Sequence, residues 1–276
     1  MKANKRDTKR VFLKKGTCSR TLFYILNREF GYLKEEEEWA SDPLAGGIMQ
    51  QGYQCGMLWG SALAVGAEAF RKFEDHDQAI AHAINATQYV MKSFVNRAES
   101  TDCQDITSCN FTSKLGLAKY LITGKPIVCF NLADKWVPEA IQSAKEGLSQ
   151  QLADIQSKPI SCASEVAKKM GASNEETVMV AGFAGGLGLS GNACGALSAA
   201  IWMNTLTRVR EKNYKYSLSY PGLEKIKTVF LEETDYEMEC SKICGKCFKT
   251  INEHTEYVKN GGCDKLINSL GRLKVC

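Results

Sequence analysis

Prolines are few, five in 276 residues, and no stretch of five or more residues alternates convincingly between apolar and polar side chains. Both scarcities argue against a sheet fold, because half-buried strands alternate with a period of two and turn on proline and glycine. Charge of one sign is also missing. Lys and Arg total 35 against 31 Asp and Glu, a net charge of +4, which is too small and too dispersed for a nucleic-acid surface. Basic residues cluster only at Lys2, Lys5, Arg6, Lys9, Arg10, Lys14 and Lys15. No apolar core follows them, so the segment reads as a solvated tail and not as a secretory signal. No phosphate loop, dinucleotide fingerprint or Ser/His/Asp set stands out. The three histidines, His76, His82 and His254, lie on or beside polar helix ends and read as solvated.

One run carries no charge at all, from 177 to 207. Its length invites a membrane reading. Gly182, Gly185, Gly186, Gly188, Gly191, Gly195, Ser190 and Asn192 interrupt it, and lipid tolerates such a backbone poorly. A tightly packed interior stretch is the expectation, with no membrane span.

What the chain has in quantity is cysteine, twelve of them. Without an export signal, that number points to a reducing compartment, the cytoplasm, where thiols serve metals or redox chemistry and not structural disulfides. The Asn-x-Thr sequons at Asn85 and Asn110 then carry no meaning.

The cysteines repeat. The stretch from Ala45 to Gly60, with Gly46, Gly47, Gly52, Cys55 and Gly56, aligns without a gap on that from Ala184 to Ala199, with Gly185, Gly186, Gly191, Cys194 and Gly195. Cys18, Cys103 and Cys129 recur at nearly the same offset as Cys162, Cys240 and Cys263. A chain of this length suits two units of roughly 100–200 residues. They are placed at 1–150 and 151–276, joined through the polar stretch 150–159.

Helical spacing dominates throughout, and the expected fold class is all-α: two homologous helical units related by an internal pseudo-twofold repeat. Asp77 is the expected cap of a long helix through Ile80, Ile84 and Val90. Other helices are expected from Cys18 to Gly31, from Cys162 to Met170, and at 56–72, 113–122, 130–148, 175–184, 195–210, 222–234, 246–258 and 263–271. The run Glu35 to Glu38 reads as an exposed loop or a first helical turn.

The glycines before Cys55 and Cys194 suggest a tight loop entering a helix, which sets each thiol at a helix N-terminus. There the dipole and free N–H groups favour a thiolate over the ordinary thiol of pKa about 8.5. Four thiolates per unit suit an iron–sulfur cluster or a structural zinc. Structural zinc usually takes its cysteines in close pairs, whereas these are separated by tens of residues and mostly head helices, which favours a cluster.

At these residues the chain resembles the C_GCAxxG_C_C family, to which redox activity is ascribed. In the second half the resemblance runs through Cys162, then Cys194-Gly195-Ala196-Leu197-Ser198-Ala199, then Cys240 and Cys263. In the first half it runs through Cys18, then Cys55-Gly56-Met57-Leu58-Trp59-Gly60, then Cys103 and Cys129. Met57 replaces the motif's alanine and Ala199 its last glycine. The family is distantly similar to split-Soret cytochromes, but Cys244-Gly245-Lys246-Cys247 is followed by Phe248 where covalent haem needs histidine.

The resemblance implies an intracellular redox protein with two iron–sulfur clusters, [2Fe–2S] or [4Fe–4S], for electron transfer. The first would be held by Cys18, Cys55, Cys103 and Cys129, the second by Cys162, Cys194, Cys240 and Cys263. A redox partner protein and, in a homodimer, a second copy are the expected partners. The alternatives are a thiol–disulfide or sulfur-handling oxidoreductase with Cys55 and Cys194 as reactive thiolates, or a soft-metal module for zinc or copper. Cys240, Cys244 and Cys247 have the spacing of a radical-SAM cluster, but that signature belongs to a β/α barrel. Cys247 reads as the counterpart of Cys109, with Cys244, Cys247 or Cys109 as substitute ligands. Cys276 reads as a frayed terminal thiol or a resolving cysteine.

Overall fold

Helix-period apolar faces fold as fifteen α-helices in the computed structural model, which describes residues 7–152, 158–215, 220 and 222–273. The first half supplies α1 (Asp7–Lys15), α2 (Cys18–Phe30), α3 (Glu35–Ala40), α4 (Gly56–Lys72), α5 (His76–Ala98), α6 (Cys103–Thr107), α7 (Lys114–Ile122) and α8 (Lys125–Ser149). The second supplies α9 (Cys162–Lys169), α10 (Asn174–Met179), α11 (Gly195–Arg210), α12 (Glu224–Glu233), α13 (Cys240–Ile243), α14 (Ile251–Lys259) and α15 (Asp264–Gly271). Among the described residues there is no strand, only two isolated bridges, Gln54 with Asp102 and Ala193 with Glu239. No helix is long and apolar enough to cross a membrane.

Several local expectations change. The cap of α5 is Asp75, which accepts from the Gln78 backbone N–H at 2.8 Å, and Asp77 falls inside the first turn. Within the described residues the basic segment forms α1, whose Val11 and Phe12 are buried; Lys2, Lys5 and Arg6 lie outside the described residues, as does Cys276. The acidic run forms the first turn of α3, where a helix dipole favours negative charge. Its last member, Glu38, is buried under Arg20, which bonds it at 2.9 Å and lies 3.3 Å over the Trp39 ring, while Lys15 pairs with the other oxygen.

A single cluster of buried apolar side chains runs through both halves, and the fully buried Trp59, Trp136, Trp202, Phe94, Phe183 and Phe230 belong to it. Helix α4 packs on α2 and α5 of its own half and on α10 of the other, and α11 packs on both α9 and α3. Trp59 meets Phe183 edge to face at 4.8 Å across the halves, a favourable ring geometry.

The repeat extends to individual hydrogen bonds. The Cys55 N–H donates to Thr101 O at 2.8 Å and the Cys103 N–H to Tyr53 O at 2.7 Å; at the equivalent places Cys194 donates to Met238 O at 2.9 Å and Cys240 to Asn192 O at 2.6 Å. Both glycine-rich runs take the same unusual path. Residues 46–50 and 185–189 each have five successive positive φ angles, between 50° and 82°. Left-handed backbone costs an L-residue about 1–2 kcal/mol, and β-branched Ile48 at φ 62° is an outlier by type. Each run closes on itself, Gly52 N–H to Gly46 O at 3.0 Å and Gly191 N–H to Gly185 O at 2.9 Å.

Candidate functional site

Each left-handed run delivers the chain into a helix whose N-cap is a cysteine, Cys55 before α4 and Cys194 before α11. Cys18 and Cys162 are the first residues of α2 and α9, and Cys103 and Cys240 the first of α6 and α13. Cys263 caps α15. Cys129 breaks the expected pattern: it is the fifth residue of α8, because the helix begins at Lys125, after its cap Gly124, and not at the cysteine. The glycine after each central cysteine is a steric requirement. A Cβ on Gly56 would lie 2.7 Å from Cys18 Sγ, and one on Gly195 would lie 1.8 Å from Phe183 O.

In the first half the thiols of Cys18 and Cys55 are hydrogen-bonded. Cys55 donates, which raises its own pKa well above the usual thiol range, and holds Cys18 below that range against the cost of burial. Backbone N–H groups of Gly46 and Ser19 also point at Cys18 sulfur. Cys103 and Cys129 are near enough to act electrostatically on Cys55. Burial raises Cys103, and raises Cys129 to about 11. Tyr120 donates its hydroxyl to Cys129 Sγ at 3.5 Å. Cys109 is buried beside Cys103 in a small cluster with Phe111 and Tyr120.

The second half gathers five thiols. Cys240 and Cys244 stand 3.9 Å apart, Cys244 also accepts from Cys263 and Tyr257, and Cys162 and Cys194 act electrostatically on the same group. Hydrogen bonds from Cys240 first and Cys263 second hold Cys244 well below the ordinary thiol range, and both donors rise in consequence. Burial lifts Cys162 to about 12 although Gly185 and Ala163 N–H groups aim at it, as Gly46 and Ser19 do at Cys18. Cys194 receives N–H groups of Leu197 and Ala196, the expected helix-terminal donors, but burial outweighs them and lifts it to about 11. Hydrogen bonds thus lower Cys18 and Cys244, whereas Cys55 and Cys194 are raised.

Such a pair of thiol groups, each on its own left-handed loop, is a duplicated architecture, and the family described as putative redox-active protein (C_GCAxxG_C_C) matches it twice, over residues 17–137 and 160–273. The chain belongs to the C_GCAxxG_C_C family. No curated protein and no solved structure matches it.

Besides Cys129, the two C_GCAxxG_C_C units differ from expectation in four residues. Cys244 joins the second group, a position legible in principle because it lies one helical turn beyond Cys240. Cys247 is exposed and turned onto the loop, its sulfur 3.6 Å from Ser190 O, unlike buried Cys109. His254, expected in solvent, is buried behind the group and bonded to Ile160 O at 3.0 Å. His82 is also buried, stacked 3.8 Å from the Phe73 ring; only His76 keeps partial exposure. The eleven cysteines among the described residues are free thiols. Among those residues no group of three or more His, Cys, Asp or Glu side chains stands in an arrangement that could hold a metal ion.

Proposed function

We propose that this chain is an electron-transfer protein whose two C_GCAxxG_C_C units, related by a pseudo-twofold axis, each hold one iron–sulfur cluster. The first set is Cys18, Cys55, Cys103 and Cys129, and the second Cys162, Cys194, Cys240 and Cys263. The observation that carries the reading is the convergence, at two equivalent places, of thiols tens of residues apart, with loop N–H groups aimed at the Cys18 and Cys162 sulfurs.

The donor chemistry fits. Iron–sulfur centres take thiolates, and N–H···S bonds and burial set their potential. No carboxylate belongs to either group, and bare burial leaves most of these thiols protonated, a cost that a bound cation removes. Holding a cluster requires the thiols to turn toward a common centre by side-chain rotation. When bound, the cluster supplies a one-electron reservoir. The chain's own residues exclude water, orient sulfur and, through Tyr120, donate a hydrogen bond to Cys129.

The pseudo-twofold draws support from Gln54, whose Oε1 accepts from the N–H of Ala193 at 3.1 Å and whose Nε2 donates to Gly186 O at 3.0 Å. Residues 54 and 193 are equivalent, and contact between equivalent positions marks a self-complementary interface.

A second reading rests on Cys244, whose neighbours hold it well below the ordinary thiol range and which lies within reach of two donor thiols: a thiol–disulfide oxidoreductase. Protein purified without oxygen separates the two. The cluster reading expects a brown solution with iron and acid-labile sulfide in equal amounts, half of it lost in Cys55→Ser and half in Cys194→Ser. Colourless, iron-free protein whose thiol count rises on reduction supports the disulfide reading, and stoichiometric zinc or copper supports a soft-metal module. Free thiols fit the cytoplasm as the proposed compartment.

A further inference from the structure

Helix α7 reads KLGLAKYLI, yet none of its described side chains is buried. Leu115 and Ile122 are each 84% exposed and Leu121 60%, and the first turns of α8 add Ile127 at 59% and Val128 at 39%. The other exposed large apolar residues, among them Leu13, Leu33 and Val95, are scattered along the chain. Isolated ones are ordinary, but a contiguous set on one face marks a contact surface.

The family unit does not impose this exposure. The helix at the matching place in the second unit, α14, buries His254, Thr255 and Val258. Only its tyrosine behaves alike, Tyr257 bonding to Cys244 as Tyr120 bonds to Cys129.

The patch has a charge. From Ile106 to Ala133 the sequence carries no acidic residue and three lysines, Lys114, Lys119 and Lys125. Of the two carboxylates that flank this stretch, Asp105 lies with Lys119, Leu115 and Cys109 around an open groove and accepts from the Ser100 hydroxyl at 2.9 Å, and Asp134 pairs with Lys9 at 3.9 Å. The patch also roofs the first thiol group. Exposed Val128 directly precedes buried Cys129, and Tyr120 reaches from α7 to its sulfur.

We infer that α7 and the start of α8 are the docking surface for an acidic one-electron carrier protein. The inference rests on the electron-transfer reading. An apolar centre with a lysine rim suits a brief encounter, since redox complexes bury little surface and rely on charge for encounter rate. The position delivers the carrier to the wall of the first unit's thiol pocket.

The probes are an acidic plant-type ferredoxin and a flavodoxin, titrated calorimetrically against the full chain purified anaerobically. Wild type binds at least one of them at low salt, and binding weakens about tenfold or more when salt shrinks the Debye length to below about 10 Å. Ile122→Glu and the double change Lys119→Glu with Lys125→Glu each weaken it about tenfold or more, as centre and rim substitutions do. Leu33→Glu, also exposed but beside Lys34, whose partner Glu175 lies in the second half, leaves it unchanged, and circular dichroism verifies that every variant is folded. Three results overturn the inference: neither carrier binds; Ile122→Glu binds as wild type does; or the patch variants instead abolish a dimer seen by light scattering or sedimentation with phosphatidylglycerol vesicles. Iron and sulfide are assayed on the same samples. Carrier binding without iron retires the cluster reading and leaves the surface standing, whereas iron without carrier binding retires the surface alone.

Discussion

A buried thiol resolves its charge by finding a donor, and the chain does this twice with thiols themselves. Cys55 donates to Cys18, and Cys240 and Cys263 donate to Cys244. His254 meets the opposite demand. Burial lowers its pKa to about 4, from 6.5 when exposed, so the folded protein keeps it neutral where the unfolded chain takes up a proton. The sign follows: stability is full above pH 6.5 and falls as pH drops toward 4, by about 3 kcal/mol at most for this group alone. Urea melts between pH 7 and 4 should show His254→Asn with a flatter slope than wild type. At this scale the sequence was legible only in part. The eight repeated cysteines announced themselves by offset, but their donor or acceptor roles depend on burial, and a histidine flanked by Glu253 and Thr255 gives no sign that its own face turns inward.

At the scale of elements, the left-handed runs decide the site, since they set Gly46 and Gly185 N–H groups toward sulfur before each central helix. Gly195→Ala drives a methyl into the Phe183 carbonyl and should cost about 2–4 kcal/mol by chemical denaturation, the range of severe steric substitutions. Gln50, at φ 61° and part-exposed, should accept glycine with a gain of up to about 1 kcal/mol in the same assay. The glycines made a loop before a helix readable. They did not reveal that Ile48, Met49 and Gln50 share the left-handed path, because the closing hydrogen bonds override the preference of those residues. Helices 56–72 and 195–210 were readable to the residue, since each starts at a Cys-Gly junction. The short α6 and α13 were not, because four or five residues carry no period and the bridges beside Cys103 and Cys240 hold them in place.

For the whole molecule, the shared core makes the halves interdependent. Residues 7–152 or 158–273 expressed alone should lack the sharp cooperative unfolding transition of the full chain in calorimetry, because faces such as Trp59 and Phe183 then meet water. Gln54→Ala leaves the Ala193 N–H without its partner, while Gly186 O keeps the Ser190 hydroxyl, and should cost about 1–3 kcal/mol, the penalty of one orphaned group. Two similar units were legible from the sequence; their fusion through one interior was not, because a repeat offset says nothing about which faces meet.

The amide of Gln54 has a historical consequence. In a dimer of identical single units, position 54 would confront its own copy, and two glutamine side chains would compete for a space that here holds one amide and one alanine methyl. Covalent linkage frees the descendants of one ancestral sequence to specialise, one lending a side chain and the other a main chain. A tandem polypeptide built from two first units should therefore assemble poorly, and restoring alanine at position 54 of one copy alone should repair it.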